Sequence, residues 1–160
     1  MNLGADSSAD YWASLYDVAR FTRPIPKKEE MMAYVVLVTV LILLHYIFMS
    51  LQAGSARGKA NVQAPRMTGD EVFERKLRVQ VNTLEQLAVT IPAMWMCAYF
   101  FSPIVAAVLG LAFFVGRILY AASYVKEPST RGTGMIIGFL ANLGLLGCSA
   151  FAAVVQLLGM

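Results

Sequence analysis

Four long apolar runs dominate the chain, and short segments between them hold most of the charge. A helix needs roughly 20 predominantly apolar residues to cross ~30 Å of hydrocarbon. Met31 to Leu51 has that character and is interrupted by His45; Leu84 to Phe101 carries Glu85 near its start. Ile104 to Tyr124 carries Arg117, and Gly134 to Met160 carries no charge at all. No stretch alternates polar and apolar over the length of a barrel strand. The pattern predicts an all-α protein, an integral membrane four-helix bundle, with Pro103 at a tight connection between the second and third spans.

Composition narrows the class further. Of the 160 residues, 58% are hydrophobic and 14% charged, against about 25% charged in an ordinary soluble domain. So few charges cannot cover the large relative surface of so small a globule. A soluble domain, a disordered chain and a disulfide scaffold are therefore excluded. The net charge of +3 is too small to argue for nucleic acid. Cys97 and Cys148 lie in apolar stretches without a CxxC neighbour, so they read as small buried hydrophobes. His45 has no second His and no H-E-x-x-H pattern. It reads as a hydrogen-bonded packing residue, and no metal site is expected.

The placement of charge predicts orientation. Residues 53–78 carry six bases and three acids, and residues 117–131 carry Arg117, Lys126 and Arg131 against Glu127. The positive-inside bias puts both connections in the cytoplasm, or on the cytoplasmic face of a bacterial inner membrane. Both termini then lie opposite. Residues 1–30 form an N-terminal extension, and residues 31–160 the membrane domain. The first ten residues hold Asp6 and Asp10 and no base, the reverse of a signal peptide. Asp10 to Pro26 reads as a short helix, either lying flat on the interface or a tail with no role. Gly134 and Gly138 form a G-x-x-x-G, a signal for close helix packing.

The polar residues inside the spans share faces. At ~100° per residue, Arg75, Arg78, Asn82 and Glu85 fall within one ~80° stripe, and Gln80 falls on another face. Intramembrane charge is costly unless paired or wetted, so this stripe must meet a cavity or another helix. Snorkelling explains Arg75 and Arg78 but not Asn82 and Glu85, which lie ~10 and ~15 Å deeper at ~1.5 Å per residue. On the third span Arg117, Tyr120 and Tyr124 share a face, Pro128 then ends the helix, and Arg131 follows. Glu85 is the carboxylate nearest in depth to Arg117, which predicts that the two pair. Arg57, Arg75, Arg78 and Arg131 would surround a cytoplasmic entrance, with amide, carboxylate and phenol groups below. Such a cavity suits a small soluble ligand carrying carboxylates and an amine, while the apolar surfaces admit a lipophilic co-substrate from the lipid bilayer.

At these residues the chain resembles the membrane-associated proteins in eicosanoid and glutathione metabolism (MAPEG). The E-R-x-x-R-x-Q-x-N-x-x-E pattern appears as Glu74, Arg75, Arg78, Gln80, Asn82 and Glu85. The R-x-x-Y-x-x-x-Y-x-x-x-P-x-x-R pattern appears as Arg117, Tyr120, Tyr124, Pro128 and Arg131. The resemblance covers about residues 31–160, and the run Asn82 to Leu87 looks like bacterial members. It implies a homotrimer with glutathione as co-substrate, held between neighbouring subunits. Arg78, Asn82, Glu85, Tyr120, Tyr124 and Arg131 match glutathione-binding positions. Gln80 matches one that reaches in from the neighbouring chain. Arg117 matches an arginine near the motif carboxylate, and Arg57 is spaced from Arg75 like a ligand arginine. Arg131 matches the arginine proposed to activate the thiol. A free thiol has a pKa near ~8.5, and an adjacent guanidinium favours the thiolate. Gln86 stands where some members carry a tyrosine, and the nearby proline sits further on, at Pro92. Eicosanoid-synthase specificity is therefore not implied.

Three function classes follow. The first is a glutathione transferase or peroxidase acting on lipophilic electrophiles or lipid hydroperoxides. The second is a non-catalytic lipid-binding or scaffold protein, since the family holds such members. The third is a small channel or carrier, opposed by the lack of paired ionisable residues along all four spans. Retention of the arginines, both tyrosines and Glu85 favours the first, and glutathione binding separates it from the second.

Overall fold

A computed structural model describes residues 27–159. Four helices follow one another: α1 (Lys27–Lys59), α2 (Glu71–Phe100), α3 (Pro103–Lys126) and α4 (Gly132–Leu157), with a 3-10 turn at Pro128–Thr130. No strand occurs among the described residues. The short helix expected over Asp10 to Pro26 lies outside them, and residues 27–30 of the expected extension open α1.

α1, α2 and α3 are longer than their apolar stretches. α1 has 33 residues, a length of ~50 Å at ~1.5 Å per residue. It therefore projects past the hydrocarbon. α2 begins thirteen residues before the expected span, where Asp70 Oδ1 accepts from Phe73 N at 2.8 Å and caps the first turn. The connection to α3 is only Phe101 and Ser102. Ser102 is the N-cap and Pro103 takes the first turn, where its missing N–H costs nothing. α3 stops at Lys126, just ahead of Pro128, as expected.

The bundle is apolar on the outside as well as within. Val35, Ile42, Leu87, Met94, Phe113 and Leu145 pack together from all four helices. Leu37, Leu44, Leu51, Val108, Phe139 and Leu140 point outward and are exposed. α1, α3 and the segment carrying α4 are long and apolar enough to cross a membrane, and the chain is an integral membrane protein. α2 departs from the four apolar spans expected, because its polar stripe leaves it short of the apolarity of the other three.

Glycine sets the tightest contact, as the G-x-x-x-G predicted. A Cβ on Gly134 would run into the backbone of Tyr120 and come within 2.7 Å of Gly116 O. A Cβ on Gly116 would lie 2.9 Å from Gly138 N. α3 and α4 thus touch backbone to backbone around Tyr120. Between α2 and α4, Asn142 Nδ2 donates to Gln86 Oε1 at 3.2 Å. The Thr90 hydroxyl lies 2.8 Å from Asn142 Oδ1 and shares its proton with Gln86 O at 2.9 Å.

Candidate functional site

The polar stripe of α2 turns outward. Arg78 and Glu85 are exposed, and Arg75 and Asn82 are half-buried. Arg75, Arg78 and Tyr124, with Glu71 and Glu74, line an open cleft of about 420 Å³ at the charged end of the bundle. Further along, Asn82 Nδ2 donates to Glu85 Oε2 at 3.3 Å. The deeper half of the stripe was expected against a cavity or a helix. Within one chain Glu85 meets neither, because the core-facing side of α2 is taken by Val79, Thr83 and Leu87.

Arg75 joins two helices. It pairs with Glu71 and donates to the carbonyls of Val125 at 3.2 Å and Lys126 at 3.0 Å. A cation there satisfies carbonyls that the last turn of α3 leaves open.

Along α3 and on to the start of α4 the predicted face becomes a column of two rings with a guanidinium at each end. The Arg117 guanidinium lies 4.0 Å from the Tyr120 ring centroid. The Tyr120 and Tyr124 rings are 5.5 Å apart, and the Arg131 guanidinium lies 5.6 Å from the Tyr124 ring. Arg117 and Tyr120 are buried, while Arg131 is exposed. Each guanidinium sits over a π-face, which attracts it.

The expected pairing of Arg117 with Glu85 does not form within the chain. Arg117 Nη2 donates instead to Thr83 Oγ1 at 2.6 Å, and Arg75–Glu71 is the one ion pair among the described residues. Thr83 and Glu85 are two residues apart, ~200° around the helix. When Thr83 faces α3, Glu85 must face outward. The Arg117 Nε atom is buried without a partner. Thr83→Val would leave a buried guanidinium without its acceptor, and is expected to lower stability by about 1–3 kcal/mol. Thermal unfolding in detergent checks this; an unchanged melting temperature would show that Arg117 finds another partner.

Arg117, Asn82 and Gln86 also line a second cleft of about 330 Å³, walled by Phe113, Met135, Ile136 and Phe139. It sets a few polar groups against an apolar wall. Gln86 is tied to Asn142, which accounts structurally for an amide at this position.

Two proposed site residues stand apart from both clefts. Gln80 Nε2 donates to the Tyr46 hydroxyl of α1 at 2.7 Å. Arg57 donates to Arg66 O at 2.7 Å and lies 4.6 Å over the Phe73 ring. His45 packs against Phe114 at 5.5 Å, but its Nε2 has no hydrogen-bond partner, contrary to expectation. Cys97 is fully buried and Cys148 partly so, both in the apolar core as expected. Thr83 and Glu71 escaped the sequence reading. The four-residue spacing of Glu71 and Arg75 was a usable signal; nothing singled out Thr83.

Arg131 occupies an electrostatically adverse place. It is the N-cap of α4 and makes no side-chain cap bond. The positive end of a helix dipole disfavours a cation there by about 0.3–1 kcal/mol. Guanidinium and helix terminus together concentrate positive potential beside Tyr124.

A bundle of long apolar helices with an arginine–tyrosine column beside a polar stripe defines a particular class of membrane protein. The MAPEG family model matches residues 35–151, and the chain belongs to that family. It is 43% identical over 110 residues to an uncharacterized protein of Synechocystis, covering 69% of this chain and 80% of that protein. It is 38% identical to microsomal glutathione S-transferase 2 of Homo sapiens, over 66% of this chain and 73% of the relative. Leukotriene C4 synthase of Bos taurus is 34% identical, over 68% of this chain and 78% of its own length.

Proposed function

We propose that the protein is a membrane-embedded glutathione transferase that conjugates glutathione to lipophilic electrophiles, with reduction of lipid hydroperoxides as a second outcome of the same thiolate. The observation that carries this reading is Arg131 at the N-terminus of α4, without an ion-pair partner among the described residues and beside Tyr124 and the arginine-lined cleft. A cation kept where the helix dipole opposes it is explained by an anion that binds there. A glutathione thiolate is such an anion. Arg131 and the first N–H groups of α4 favour the deprotonated sulfur. The thiolate then attacks the electrophilic carbon, forming a C–S bond as the leaving group departs. Arg78, Asn82, Glu85 and Tyr124 would hold the peptide's charged and amide groups. The apolar cleft beside Arg117 would hold the co-substrate.

A homotrimer, which the family resemblance implies, is part of the same proposal. Exposed Glu85, deeper on a membrane helix than snorkelling reaches, is covered by a neighbouring subunit in this reading. Arg57 and Gln80 lie on other faces and would serve the site of an adjacent subunit. The name of one relative, microsomal glutathione S-transferase 2, supports glutathione chemistry. The positive-inside bias puts the site on the cytoplasmic side, with both termini opposite. The test is a glutathione titration of the detergent-solubilised protein, followed by thiolate ultraviolet absorbance. Saturable binding with a thiolate band is expected, lost in Glu85→Gln combined with Arg78→Gln. No binding at millimolar glutathione would replace this reading with a non-catalytic lipid-binding role.

A further inference from the structure

The geometry points to a second binding site, for the phosphate of an anionic phospholipid, between the end of α1 and the start of α2. A cleft of about 280 Å³ lies there, lined by Ser55, Lys59, Asp70 and Lys76. Lys59 and Lys76 approach it from two helices, and neither has an ion-pair partner among the described residues. Asp70 is the one acid in the lining, and its Oδ1 is committed to Phe73 N. The cleft therefore holds two ammonium groups against one engaged carboxylate, at the positive end of the 30-residue helix α2.

The surface leading away from this cleft identifies the source of the phosphate. At ~100° per residue, Leu41, Leu44, Phe48 and Leu51 share a face of α1 with Ser55 and Lys59. Those four side chains are 39%, 58%, 54% and 67% exposed. A headgroup in the cleft has an unbroken apolar lane beneath it, running along the helix as an acyl chain does. Basic residues at the ends of membrane helices attract anionic headgroups. A free phosphate would use the lysines but leave the lane empty. The site is separate from the glutathione cleft, since Lys76 lies ~100° around α2 from Arg75.

The test uses the full chain purified in detergent and examined by native mass spectrometry. Phosphatidylglycerol, phosphatidylcholine and soluble glycerophosphate are the three probes. Phosphatidylglycerol is expected to bind in preference to phosphatidylcholine. Lys59→Gln with Lys76→Gln should weaken that binding about tenfold or more, since each base near an anionic surface contributes comparably. Each single variant should give an intermediate loss, which keeps the idea testable should the double variant fold poorly. Lys126→Gln removes the same charge elsewhere and should change nothing. Equal retention of the two lipids would overturn the site, as would an equal loss in Lys126→Gln. Displacement of the lipid by an equal concentration of glycerophosphate would overturn the lipid assignment in favour of soluble phosphate.

Discussion

Arg131→Ser is expected to cut the rate of glutathione conjugation by about 10²–10³, the range seen when one preorganised donor to a developing anion is removed. The same substitution should leave the protein as stable as before or slightly more so. Serine is a favoured N-cap, whereas arginine in that place opposes the dipole of α4 and makes no cap bond. The gain should be about 0.5–1 kcal/mol. Loss of thiolate absorbance together with an unchanged or raised melting temperature is the predicted signature. The split matters, because a structural arginine would show the opposite stability effect. If conjugation persists at the full rate while glutathione still binds, thiol activation must be assigned elsewhere, and the column Arg117–Tyr120–Tyr124 becomes the place to look. Substitution of Tyr124 alone would then separate ring contacts from charge.

Gly134→Leu should have the largest effect on folding. Even a Cβ at that position meets the backbone of Tyr120 and Gly116 O, and backbone cannot swing aside as a side chain can. Overpacking of a close-packed interior typically costs 1–3 kcal/mol, and an immovable obstacle puts this case at or above about 3 kcal/mol. α4 must then move off α3, carrying Arg131 away from Tyr124. The expected result is a strongly lowered melting temperature in detergent, with glutathione binding lost before global unfolding. Gly147→Leu is the matched control, since a Cβ at Gly147 meets open space. Comparable destabilisation by both variants would mean that leucine in α4 is the problem rather than the contact with Tyr120.

Much of the architecture was legible because a membrane imposes few solutions. Long apolar runs have to be helices in lipid, so four elements and their order followed directly. Pro128 and Pro103 marked boundaries that the structure keeps. The helix starts were less legible, because α1 and α2 continue beyond the hydrocarbon where hydropathy carries no signal. Asp70 begins α2 through a single cap bond.

Site residues show the same division. Periodicity placed Arg117, Tyr120 and Tyr124 on one face, and the structure stacks them. Depth alone could not choose between Thr83 and Glu85 as the partner of Arg117. The choice depends on how α2 is rotated about its axis, which packing of Val79, Thr83 and Leu87 decides. The unpartnered His45 Nε2 was equally out of reach, since the polar groups around a packed ring depend on the side chains of three helices.

The two-residue turn between α2 and α3 has a consequence for biosynthesis. α2 carries the polar stripe and falls short of the apolarity of its three companions. A charged side chain opposes the partition of an inserting helix, by roughly 2.5–3.5 kcal/mol at the centre and by less near an end, where Glu85 lies. With only Phe101 and Ser102 between them, α2 and α3 reach the translocon as a single hairpin. The apolar surface of α3 therefore offsets the charge on α2 at the moment of insertion, while Glu85 is still exposed on its own chain.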